Sequence, residues 1–186
     1  MLATVLVAAL LAQMAVPADR VSEDEAARLQ EIQRDSRVFE KIVAELLRQN
    51  FQNPFSIAAE PRSTYLPRYG LVLSFHLKLN RAVLPGLGAG TERRPGGSGG
   101  DSIDRELAKV RDLMLRSLGE YGGTLKHLAD GEWVSLCAYV EDRSQLDPVR
   151  RRHDLAVSVQ RRWIDEYARG LISWEGFVER AEVLEY

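Results

Sequence analysis

The pattern of apolar and polar positions divides the chain into helical and extended stretches. Leu29, Ile32, Phe39, Ile42, Val43, Leu46 and Leu47 recur at the spacing of one helix face. Ser22-Glu23-Asp24-Glu25 stands ahead of them with the form of a capping box, and its acids suit the positive end of a helix dipole. A helix is therefore predicted from Ser22 to about Asn50, with a break near Asp35-Ser36. Its outer face carries Glu25/Arg28, Glu31/Arg34 and Glu45/Arg48, spaced i,i+3. Asn53-Pro54 should end it, and Pro61 and Pro67 predict irregular chain over 51–68.

From Tyr69 the period changes to two. Tyr69, Leu71, Leu73, Phe75, Leu77 and Leu79 alternate with Gly70, Val72, Ser74, His76, Lys78 and Asn80, a strand with one apolar face. A second helix is expected from a cap at Asp101 or Ser102, with Ile103, Leu107, Val110, Met114, Leu118 and Tyr121 as its stripe and Gly122-Gly123 as its stop. After the Asp130-Gly131 turn, Trp133–Val140 reads as a strand, with Val134, Leu136, Ala138 and Val140 on one face. Asp154–Gln160 reads as another, with Leu155, Val157 and Val159 inward. Arg162–Arg169 looks like a short helix ended by Gly170, and Ser173 caps a last turn bearing Trp174, Phe177 and Val178.

The order α, β, α, β, β, α predicts an α+β fold. We expect a two-layer sandwich, with a small mixed sheet of about three or four strands and helices packed mainly on one face. The first two strands are joined through a helix and should run parallel if adjacent, whereas the next pair should be antiparallel.

Two stretches outside this pattern carry other information. Leu2–Val16 holds no charge and is followed by Pro17-Ala18-Asp19. Fifteen uncharged residues fall short of a membrane span, and Val16 and Ala18 place small residues where secretory cleavage needs them. Residues 1–18 are read as a signal peptide, cut between Ala18 and Asp19, and 19–186 as a single domain. Export to the periplasm or the exterior follows, with membrane attachment only if 1–18 is retained. Residues 85–101 contain seven Gly and two Pro, nothing to build a core from, and are expected to form a flexible loop. Its Gly86-Leu87-Gly88-Ala89-Gly90 lacks the strand-to-helix setting of a nucleotide cradle.

Composition narrows the choice of partner. Across 186 residues, 25 basic and 27 acidic side chains leave a net charge of −2, which gives no general attraction to nucleic acid. The run Arg150-Arg151-Arg152-His153 has no interleaved aromatics. A single cysteine, Cys137, excludes an intrachain disulfide framework, and no pair among His76, His127 and His153 has metal-site spacing. Neither a nucleophile elbow nor a cofactor motif is present, so no cofactor, no metal site and no catalytic residue is assigned.

The remaining candidate is a surface. Tyr65-Leu66-Pro67-Arg68-Tyr69-Gly70 sets two Tyr and an Arg around a turn, and residues 61–100 carry six bases against one acid. Tyr and Arg are common anchors of interfaces. Tyr65, Arg68, Tyr69, His76, Trp133, Ser135 and Tyr139 form the expected interaction surface. Ser74, Cys137, Ser158 and Gln160 share the less apolar face of the strands with several of them. The expected function is a non-enzymatic binding domain of the cell envelope or exterior, whose partner is an envelope protein, a polymer or a second copy of the chain. A small exported hydrolase with a site near His76 is the alternative.

Overall fold

The computed structural model describes residues 23–51, 55–80, 99–143 and 151–186. The expected signal peptide, with Ala18 and Asp19, lies outside them, as do residues 85–98 of the Gly-rich stretch. The chain separates into two compact units, Met1–Gln30 and Glu31–Tyr186. Of the first, the described part is the opening of helix α1 (Glu23–Asn50), exposed except for half-buried Leu29.

The second unit continues α1 and adds, in chain order, β1 (Phe55–Leu66), β2 (Gly70–Asn80), α2 (Gly99–Arg116), β3 (Trp133–Arg143), β4 (Arg151–Gln160), α3 (Arg161–Ala168), α4 (Trp174–Val178) and β5 (Glu182–Glu185). The five strands form one mixed sheet in the order β1-β2-β3-β4-β5. β2 and β3 are parallel, as the helical connection between them predicts, and the other neighbours are antiparallel. The fold is α+β, with five strands where three or four were expected.

One sheet face is the core. Leu71, Leu73, Phe75 and Leu77 of β2, Val134, Leu136 and Ala138 of β3, and Val157 and Val159 of β4 are almost wholly buried. Their partners across the layer are Phe39, Val43 and Leu47 of α1, Val110 and Met114 of α2, and Leu118 just beyond it. Each such Leu, Val, Phe or Met side chain stabilises the fold by about 1.5–3 kcal/mol relative to exposure.

Four elements depart from the sequence pattern. α1 runs unbroken through Asp35-Ser36. Ser36 turns its hydroxyl back to donate to the Ile32 carbonyl at 2.6 Å, and the Asp35 carboxylate receives the His127 backbone N–H and ring Nδ1 at 3.3 and 2.9 Å. Both polar residues find partners without interrupting the helix.

The expected irregular stretch 51–68 is mostly strand. β1 lies at the sheet edge, where a proline costs no ladder bond, and its pairing shifts register on either side of Ala59, ahead of Pro61. α1 holds it in place, because the Glu40 carboxylate accepts from both the backbone N–H and the hydroxyl of Ser63, at 2.7 and 2.6 Å. α2 opens at Gly99, ahead of the expected cap, so the last residues of the Gly-rich stretch are helical. It passes into a π-helical turn (Ser117–Tyr121) and a short 3-10 turn (Gly122–Thr124). Gly119 lies there under Tyr167, Trp174 and Phe177, where a Cβ would come within 3.1–3.3 Å of their rings. The fourth departure is β5, an unforeseen edge strand of four residues.

A candidate interaction face

The second sheet face is built by the same alternation that buries the first. Reading across the strands, Thr64, Val72, Ser135, Ser158 and Glu182 make one row. Arg62, Ser74, Cys137, Ala156 and Leu184 make the next, and Ala59, His76, Tyr139 and Asp154 the one after. His76 is exposed, and Val72, Ser74, Trp133, Cys137, Tyr139, Ala156, Ser158 and Gln160 are half-buried. This face is open in the sense expected from its mixed composition.

The turn between β1 and β2 places the first anchor. Leu66 pairs with Gly70 around Pro67, Arg68 and Tyr69, and Tyr69 N–H donates to the Leu66 carbonyl at 3.1 Å. Arg68 takes a left-handed φ of 70° and Gly70 a φ of 131°. The chain then returns close against β3, whose Trp133 N–H donates to the Tyr69 carbonyl at 2.7 Å. From this turn the Tyr69 side chain reaches the open face. Its hydroxyl lies 2.7 Å from Ser135 Oγ, which lies 2.7 Å from Ser158 Oγ, a chain of three hydroxyls across β3 and β4. Ser135 is only 3% exposed, while Tyr69 remains 39% exposed.

The second anchor is an aromatic pair. His76 and Tyr139 occupy cross-strand positions, their ring centroids 4.8 Å apart at 31°. Such a pair is worth on the order of 0.5–1 kcal/mol. Between the two anchors sits Cys137. Burial, with the Asp154 carboxylate adding to it, pushes its thiol above the usual range, so it is held neutral rather than activated.

Tyr69, His76, Trp133, Ser135 and Tyr139 are thus on one face, with exposed Arg68 at its rim. Tyr65 is not with them. Strand alternation turns it to the helix side, where its hydroxyl donates to the buried Glu132 carboxylate at 2.6 Å. Glu132 also accepts the Ala129 N–H at 2.7 Å. Tyr65 therefore serves the end of the core, and the Tyr-Arg-Tyr cluster legible around the turn divides between two sides of the sheet.

Arg62, Glu182 and Leu184 belong to the face and were missed. Their strands, β1 and β5, were not legible from the sequence, so no alternation assigned them a side. The basic run 150–153 enters β4 from Arg151, and His153 pairs with Val140 on the helix side, its Nε2 buried.

Among the described residues no cluster of His, Cys, Asp or Glu could hold a metal ion, and no helix is long and apolar enough to cross a membrane. Compared with family models, with curated proteins and with solved structures, the chain finds no match.

Proposed function

We propose that the chain is an exported binding domain of the cell envelope or exterior, and that the open sheet face is its binding surface. The observation that carries this reading is the face itself. Tyr69, the His76–Tyr139 pair and Trp133 offer aromatic area, while Ser74, Ser158 and Gln160 offer hydrogen-bonding groups around them. Rigid aromatics framed by polar groups supply contact area at small entropy cost. Export rests on the uncharged start and the Val16-Pro17-Ala18 sequence before Asp19. The hydrolase alternative centres on His76, whose ring lies tilted against that of Tyr139. That contact favours recognition over proton transfer.

The test is capture from an envelope extract by the product of the full gene. The probe variant is His76→Arg, because His76 is exposed, whereas Ser135 is shielded and hydrogen-bonded on both sides. The wild-type chain should retain a partner that His76→Arg loses, with circular dichroism unchanged. The intact mass of the exported product should begin at Asp19. A partner retained equally by both proteins counts against the face, and a product found in the cytosol with Met1 attached counts against export.

A further inference from the structure

The two edge strands of the open face carry opposite charges. Arg62 of β1 and Lys78 of β2 lie on one half. Asp154 of β4 and Glu182 of β5 lie on the other, beyond the central strand β3, which itself carries Glu141. Arg62 and Glu182 are both exposed, and neither pairs with a described residue. Leu184, also on the face and 56% exposed, stands one row from Glu182 and level with Arg62.

A face with opposite charges on its two flanks is complementary to itself. Rotation by half a turn about an axis along β3 lays β1 of one copy over β5 of the other, and keeps each row level with its counterpart. Sheets packed face to face stand about 10 Å apart and within about 30° of parallel, close enough for an Arg side chain to reach the facing flank. The extent of the face also fits. Five strands about 4.8 Å apart, most of them ten to twelve residues long, cover roughly 700–800 Å². A stable interface of ordinary size needs about 800 Å² from each partner.

We propose that the partner of the open face is a second copy of this chain. The two copies pack sheet against sheet about a two-fold axis along β3, with Arg62 of each level with Leu184 of the other and reaching diagonally, one row along, to its Glu182. This rests on the reading of the open face as the binding surface and names its occupant. The interface is isologous, so both ion pairs form together, and the row through Ser74, Cys137, Ala156 and Leu184 packs on its own image.

Sedimentation of the full-gene product over a range of concentrations tests this with a charge swap. Wild-type protein should be a dimer. Arg62→Glu and Glu182→Arg each set like charges against one another and should weaken the dimer by about tenfold or more. The Arg62→Glu/Glu182→Arg double variant restores opposite charges and should dimerise within a few-fold of wild type. Should either reversal unfold the chain, Arg62→Gln and Glu182→Gln take its place, each expected to weaken the dimer by a smaller factor. A monomer at every concentration, a dimer indifferent to the single variants, or a double variant that stays monomeric each overturns the proposal. A monomeric wild type whose envelope capture is still abolished by His76→Arg ends self-pairing and leaves the binding reading standing. Loss of both results ends both.

Discussion

Gly70 shows how closely one residue can be constrained. Its φ of 131° is disfavoured for L side chains, and a Cβ there would collide with the Trp133 carbonyl oxygen. The obstacle is β3 backbone, which cannot swing aside. Gly70→Ala should cost about 3 kcal/mol or more, read as a fall in the urea midpoint with an unchanged slope. Cys137 supports a pH prediction. Its folded thiol ionises above the ordinary range because burial, and then Asp154, disfavours the thiolate. The resulting stability is fully present below the ordinary thiol pKa, about 8.5, and declines as pH rises from there toward the folded value. Urea midpoints between pH 7 and about 10 should therefore fall more steeply for wild type than for Cys137→Ala. Tyr65 marks how far single residues were legible. Its type suggested a surface anchor, but its side of the sheet depends on a strand that the prolines concealed.

At the scale of elements, regular alternation was the readable signal. β2, β3 and β4 carry long runs with one apolar face, and their assignment held, with β3 and β4 somewhat longer than the runs suggested. β1 was hidden because its burial follows two register shifts and an edge proline, neither of which leaves a period of two. β5 was hidden because four exposed residues carry no periodicity. Arg62, Glu182 and Leu184 lie on these two strands, so that part of the candidate surface was invisible for the same physical reason. Local chemistry was more readable at α4, where Ser173 accepts the Gly176 N–H at 3.1 Å, as an N-cap should. That cap holds Phe177 in a cluster with Tyr167 and Trp174. Ser173→Ala should lower stability by about 1 kcal/mol, measured by thermal denaturation followed through tryptophan fluorescence.

For the molecule as a whole, the two-layer α+β plan followed from the order of elements, and the parallel β2–β3 pairing followed from the helix between them. The number of strands did not, since both edges were unreadable. The Tyr65–Glu132 contact ties the β1 hairpin to the chain just before β3, across the end of the sheet. Tyr65→Phe would leave the buried Glu132 carboxylate short of a donor, and should cost about 1–3 kcal/mol in denaturant unfolding. The parallel seam at the middle of the sheet has a kinetic side as well. β1–β2 and β3–β4 are neighbours in sequence, whereas Gly70 must find Trp133 roughly sixty residues further along the chain. The two antiparallel ribbons can form early, and joining them is the slow, high-contact-order step. Until they join, the inner edges of β2 and β3 are long, apolar and unpaired, the state in which a strand accepts the wrong neighbour. The interval between ribbon formation and closure of the seam is when a newly made chain is most exposed to aggregation.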